Sequence, residues 1–200
     1  MSLSNVKIHH RNSRPFGLSF SEWSARWWQW LLSIPKSSNP AMDSSGENAY
    51  IGQPNPNVFF LCQTIEGVKH QPSRKIRIHR GTSLFLPIIN WVSNFYEHGN
   101  SEKELIETAI QRMDTIGNLE FNLNGTNIQG LDKYRFLSRF FTVDLPKDNV
   151  LDIPTGITRL VSDGYWVFTE PIIMDTTIST FGSCSSGVTK IRVNYSINVI

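Results

Sequence analysis

Residues 190–199 carry the plainest pattern in the chain: Ile191, Val193, Tyr195, Ile197 and Val199 alternate with Lys190, Arg192, Asn194, Ser196 and Asn198. A period of two sends one set into a core and the other into water, which predicts a half-buried strand of an antiparallel sheet. The same reasoning predicts strands over 58–64, a continuous apolar run, over 74–79, which alternates, and over 83–89, apolar again after a turn at Gly81. Leu119, Phe121 and Leu123 alternate with polar residues as far as Asn124-Gly125, the pair best suited to the positive φ angles of a two-residue hairpin turn. Residues 134–145 read as one long strand, 165–169 as another ahead of Pro171, and 176–181 as a third.

Two segments change period to that of a helix. Ser19 and Glu22 stand in the capping-box relation, with Leu18 and Trp23 placed as the hydrophobic staple, so a helix starts at Ser19 and is limited by Pro35. Phe20, Trp23, Trp27, Trp30, Leu31 and Ile34 share one face, which Ala25, Trp28 and Leu32 widen. Only Glu22, Arg26, Gln29 and Ser33 remain as a polar strip, with Glu22 and Arg26 at the i, i+4 spacing that lets opposite charges meet. Each indole can bury roughly 150–250 Å², so a helix carrying Trp23, Trp27, Trp28 and Trp30 needs a large partner surface. Ser101 and Glu104 repeat the capping spacing ahead of Leu105, Ile106, Ala109, Ile110 and Met113, a short amphipathic helix that ends before Gly117. Residues 36–57 are rich in Ser, Asn, Pro and Gly and read as an irregular loop.

About eight short strands separated by turns, with two helices, predict a mainly β fold. The expected architecture is an antiparallel β-sandwich of jelly-roll type, carrying an N-terminal aromatic helix and one further short helix. Residues 1–18 are expected to form a flexible basic arm and 19–200 a single domain. Hydrophobic residues at 40% against 18% charged supply enough apolar surface for one core.

A formal charge of +2, without a dense basic block, argues against nucleic acid as a partner. Arg74, Lys75, Arg77, His79 and Arg80 do cluster, alternating with Ile76 and Ile78. A solvated strand face is the plain reading of that cluster, and a phosphate site the sharper one. Arg11 and Arg14 precede an apolar stretch, but Glu22 and Arg26 interrupt it and no small-residue cleavage site follows. The cytoplasm is therefore the expected location, with an extracellular one as the alternative if a leader has been removed. No apolar run is long enough to predict a membrane span. Cys62 and Cys184 permit one disulfide or two thiols, the latter being simpler in a reducing compartment.

Ser21-Glu22-Trp23-Ser24-Ala25-Arg26-Trp27-Trp28-Gln29-Trp30 resembles the tryptophan-rich helix of a family of uncharacterised bacterial and archaeal proteins of about this length. Asn39-Pro40, 58–61, 84–90 and Ser162-Asp163-Gly164-Tyr165-Trp166-Val167 are similar to further segments of that family, so the resemblance spans most of the chain. It implies architecture and no settled activity. Members of that family often carry a signal peptide and a cysteine pair, and the positions of the pair are held here by Ala49 and Ile76.

Asp163-Gly164-Tyr165-Trp166 places an acid and two amphipathic aromatics at a turn-to-strand junction, which suits a polar ligand: a ring stacks on a sugar or base while the carboxylate accepts hydrogen bonds. The plainer reading is an Asp-Gly turn followed by a core strand. Glu22 and Arg26, in a cleft with Asp163 or Asp43, would suit acid–base work, whereas a surface salt bridge is the ordinary use of their spacing. Cys184 lies in a Gly-Ser-Cys-Ser-Ser-Gly run without nucleophile-elbow spacing. His9, His10, His70, His79 and His98 show no zinc-site spacing, so neither a metal nor another cofactor is expected.

Three functions are compatible with this pattern. The first is a binding or interaction module presenting an aromatic-lined surface, through Asp163, Tyr165 and Trp166, to a small polar ligand such as a glycan or to a protein partner. The second is a carboxylate-dependent hydrolase or lyase using Asp163, Glu22 and Arg26, and the third is a structural subunit of an assembly. Sequence leaves the oligomeric state open.

Overall fold

The computed structural model describes residues 6–65, 71–185 and 189–200. His70, Ser186 and Gly187, singled out above, lie outside them. Among the described residues two α-helices, α1 (Phe20–Ser33) and α2 (Glu102–Asp114), accompany nine strands. These are β1 (Val58–Phe60), β2 (Ser73–Ile78), β3 (Ser83–Asn94), β4 (Ile116–Leu123), β5 (Thr126–Asn127), β6 (Phe141–Leu145), β7 (Gly156–Phe168), β8 (Thr176–Cys184) and β9 (Lys190–Val199). They form a four-stranded sheet ordered β1-β3-β7-β6 and a five-stranded sheet ordered β2-β9-β8-β4-β5. The two sheets pack as a β-sandwich, and α1 covers the outer face of the four-stranded one, so the chain is built in three layers.

The layering explains which strands alternate and which do not. β3 and β7 belong to the middle layer and are covered on both faces, which is why Ser83–Asn94 and most of Gly156–Phe168 are buried without a period of two. β9 belongs to an outer layer, and Val193, Tyr195 and Ile197 point inward from it as the alternation predicts. Asn124 and Gly125 turn β4 into β5 with φ angles of 52° and 81°. Two expectations fail. The sheets are mixed rather than purely antiparallel, because β1 runs parallel to β3 and β2 parallel to β9. Residues 134–145 are not one strand: Leu131–Tyr134 is a turn of 3-10 helix, and regular pairing begins only at Phe141.

The helix α1 starts where the capping box places it, with Ser19 and Glu22 exchanging hydrogen bonds. It ends where the Asn39 side chain donates to the Leu31 and Ile34 carbonyls. Three indole N–H groups on α1 tie it to three separate segments. Trp23 donates to Pro15, Trp27 to Leu61 and Trp30 to Ile51, each at 2.8–2.9 Å. Across the interface the Trp27 and Trp166 rings meet at 5.2 Å and 74°, and Trp23 meets Phe168 at 5.4 Å and 88°, both edge-to-face. Residues 6–18 run along the end of β7, where His9 N–H donates to the Phe168 carbonyl and Ile8 bridges Thr169.

Candidate functional site

Asp163 lies on β7 opposite Trp91, 2% exposed, and faces the interior. Its carboxylate accepts from Nε and Nη2 of Arg135 at 2.8 and 2.7 Å and from the Gly164 N–H at 2.8 Å. Arg135 also donates to the Asp114 carboxylate and the Ile110 carbonyl at the end of α2. The arrangement is a clamp that docks α2 on β7. Burial pushes the Asp163 carboxyl up, and the Arg135 guanidinium opposes that shift.

Tyr165 and Trp166, adjacent on a strand, point to opposite faces. Tyr165 enters the inter-sheet core and Trp166, fully buried, stacks on Phe85 at 5.1 Å beneath α1. Gly164 is required there, because a Cβ would fall 2.5 Å from Asn90 Cβ and 2.8 Å from Asn90 Cα. The segment that drew attention in the sequence therefore makes core and clamp, with no surface shared by its three side chains.

Glu22 and Arg26 do not pair. The Glu22 carboxylate is taken by Ser19 N–H and hydroxyl and by Arg14 at 3.1 Å, which holds its pKa below the usual range, the Ser19 backbone N–H contributing most. Arg26 instead lies over the Trp23 ring, 5.6 Å from its centre. Asp43 is held in its own loop, accepting from the N–H groups of Ser45, Gly46 and Asn48. Cys184 is buried on β8, its sulfur accepting from Thr189 N–H.

Two clefts open elsewhere, on either side of residues 52–56. The larger, about 600 Å³, is lined by Tyr50, Phe59, Arg77, His79, Thr82 and Ile200 among others. The smaller, about 390 Å³, lies between the polar strip of α1 and the loop, with Trp23, Arg26, Gln29 and Trp30 on one wall. Pro54 and Asn55 belong to both. In the larger cleft Tyr50 and Phe59 meet edge-to-face at 5.8 Å, and Tyr50 is half exposed. Neither lining contains an Asp or Glu side chain, while each contains an arginine beside aromatic rings.

The walls are set by buried polar contacts. Gln53 reaches back with its amide to the Ala49 and Phe60 carbonyls and accepts from Phe60 N–H, fixing the loop to β1. Arg74 is 1% exposed, a correction to its place on the solvated face of the basic cluster. It is in phase with Ile76 and Ile78, so its side chain points inward while Lys75, Arg77 and His79 point out. Its guanidinium donates to the Asp43, Cys62 and Gln63 carbonyls and to the Tyr195 hydroxyl, joining the loop that carries Tyr50 to β2 and β9. Burial raises the Tyr195 phenol and the Cys62 thiol, so both are neutral hydrogen-bonding groups and Cys62 is no thiolate nucleophile. Ala49 and Ile76 sit in the inter-sheet core next to this knot.

Sequence reasoning identified the polar strip of α1 that walls the smaller cleft but missed the clefts themselves, because their residues come from α1, from a loop without periodicity, from β1 and from β2, which meet only through folding. The exposed parity of Arg77 and His79 within the basic cluster was the available signal.

No family model and no curated protein matches the chain. A solved cysteine protease inhibitor from Entamoeba histolytica aligns with 70% of this chain and 96% of its own, at 11% identity and a TM-score of 0.26. A likeness that slight carries no argument about function. No helix among the described residues is long and apolar enough to cross a membrane.

Proposed function

We propose that this protein is a binding module whose ligand surface is the pair of clefts around residues 52–56, and that what it takes, a small polar ligand or a segment of a protein partner, bears a negative group. One observation carries the reading: in the larger cleft Arg77 stands beside the half-exposed Tyr50 and the partly buried Phe59, in the smaller Arg26 lies over the buried Trp23 ring, and no Asp or Glu side chain lines either. A ring face or edge accepts the apolar side of a sugar or planar ligand, and a guanidinium in the same cleft pairs bidentately with a carboxylate. The earlier assignment to Asp163, Tyr165 and Trp166 is replaced, since those side chains serve the clamp and the core. The hydrolase or lyase alternative fares less well, because Glu22 is occupied by Ser19 and Arg14, Asp163 by Arg135, and Asp43 by its own loop.

The test is a thermal-shift screen against neutral glycans, glucuronate-containing oligosaccharides and di- and tricarboxylates. Acidic ligands are expected to raise Tm, Arg77→Ala and Arg26→Ala to abolish the rise, and Asp163→Asn to keep it in whatever fraction folds. No response to any class, or a response that survives both arginine substitutions, would sink the reading.

A further inference from the structure

β2 is the edge strand of the five-stranded sheet, and its hydrogen bonds show which groups face outward. Asn194 N–H donates to the Pro72 carbonyl, Ile200 N–H to Ile78, and Arg80 N–H to Ile200. Even-numbered residues of β2 therefore pair with β9, and in a parallel ladder the intervening Lys75, Arg77 and His79 direct their N–H and C=O groups to the open flank. Lys75 N–H is met there by the Ser45 carbonyl at 2.8 Å, and the His79 carbonyl by Thr82 N–H. Arg77 N–H is met by a side chain, the Tyr50 hydroxyl at 2.6 Å. Among the described residues nothing meets the Arg77 carbonyl or the His79 N–H. The larger cleft opens on this flank.

An unpaired strand edge is a template for another strand, and proteins normally block one. Here the block is a backbone carbonyl at Lys75 but only a half-exposed tyrosine hydroxyl at Arg77. Displacing Tyr50 would free one donor and leave an N–H, C=O, N–H series from Arg77 to His79, the set that one added strand engages. Beside it Phe59 and the exposed Ile200 and Tyr50 offer apolar footholds for alternate side chains. The exposed side chains of the same stretch are Lys75, Arg77, His79 and Arg80, and no Asp or Glu side chain lines the cleft.

We propose that an extended acidic peptide segment of a protein partner adds to β2 as a further strand, its backbone pairing with Arg77 and His79 after Tyr50 swings aside. This rests on the cleft being the ligand surface, and it names the occupant. The Ser45 contact at one end and the turn at Gly81 at the other limit the added strand to about four or five residues at ~3.3 Å each. Charge fixes the choice of partner, and main-chain bonds supply sequence-tolerant affinity.

The experiment is selection of a randomised heptapeptide display library against the whole chain, followed by synthesis of the strongest binder. Enriched sequences are expected to carry two or more Asp or Glu. Binding should weaken at least about tenfold in Arg77→Glu, an exposed position, and on N-methylation of alternate peptide amides. Tyr50→Phe, which cannot accept from Arg77 N–H, should bind several-fold more tightly. On binding, the His79 amide should gain protection from hydrogen exchange. Failure to enrich acidic peptides, a binder indifferent to N-methylation, or self-pairing of two copies through β2 overturns strand addition. If glucuronate or tricarboxylates still raise Tm in an Arg77-dependent way, the clefts remain the ligand surface and only the peptide occupant is wrong. If those fail as well, both proposals fall.

Discussion

Replacing Arg74 by Met keeps the aliphatic shaft and deletes the guanidinium that holds the loop at 43–50 to the sheets. Four acceptors lose a donor: the Asp43 carbonyl at 2.8 Å, Cys62 carbonyl at 2.6 Å, Gln63 carbonyl at 3.3 Å and Tyr195 hydroxyl at 2.6 Å. The Cys62 carbonyl keeps the Tyr195 hydroxyl as a donor, whereas the Gln63 and Asp43 carbonyls keep no side-chain partner among the described residues. Hydrogen bonds from a charged donor contribute ~1.5–3 kcal/mol each, and an orphaned buried acceptor costs ~1–3 kcal/mol. Relief of the buried charge offsets part of that loss. Buried ion pairs exchanged for apolar residues can come out neutral, but there both polar partners are removed, and here three of the four partners are backbone carbonyls that no substitution deletes. The net expectation is a loss of about 3–5 kcal/mol, a large share of the ~5–15 kcal/mol of a typical domain. Arg74→Lys should recover less than half, since one ammonium cannot span acceptors on three segments. Urea denaturation followed by tryptophan fluorescence measures it, with the midpoint shift read at constant m. An Arg74→Met midpoint within about 1 kcal/mol of wild type would refute the reasoning.

Gly164→Ala should cost about 2–3 kcal/mol, because its Cβ would meet the Asn90 backbone and Cβ and the Ile89 carbonyl, which cannot yield without opening the β3–β7 ladder; an unchanged Tm would contradict this. Trp27→Phe should cost more than Trp166→Phe by about 1–2 kcal/mol, since the Trp27 indole donates to Leu61 while that of Trp166 has no partner among the described residues; equal midpoints would count against it. Burial works to raise the Asp43 carboxyl, but hydrogen bonds from Asn48, Ser45 and Gly46 outweigh it and hold the pKa below 3.8. The stabilisation this gives is complete above the unfolded value and is lost as pH falls through the lower folded one. The stability gap between wild type and Asp43→Ala should therefore be constant near neutrality and shrink as the pH falls below about 4; a gap that widens on acidification would reverse the sign.

How much of this was legible follows from how local each cause is. The capping box at Ser19, the Asn124-Gly125 turn and the alternation of β9 are contained within a few residues each, and the structure reproduces them. The tryptophan face announced that α1 must be covered, though not that Trp23, Trp27 and Trp30 would each donate to a different distant carbonyl. Parallel pairing of β1 with β3 and of β2 with β9 joins segments whose patterns read identically for either direction. The break at 134–140 escaped notice because the segment still follows β7 through an isolated Arg135–Tyr165 bridge and hydrogen bonds from Phe136 and Ser138 N–H, while its apolar residues pack on α1, as Phe136 does against Phe20 at 4.7 Å. Arg74 was hidden among its exposed neighbours, although its parity with Ile76 marked it as inward. Asp163, Tyr165 and Trp166 looked like a site because buried clamps and core rings use the same residue types as ligand sites, and only burial separates the two uses.

The most direct measurement is an amide chemical-shift map of isotopically labelled protein titrated with glucuronate and with a tricarboxylate. Saturable shifts should concentrate at Tyr50, Phe59 and Arg77 to His79, with a second group at Arg26 and Trp30, and leave Asp163 to Trp166 unmoved. Shifts that begin at Asp163 to Trp166, or a spectrum that neither titrant changes, would contradict the placement of the binding surface.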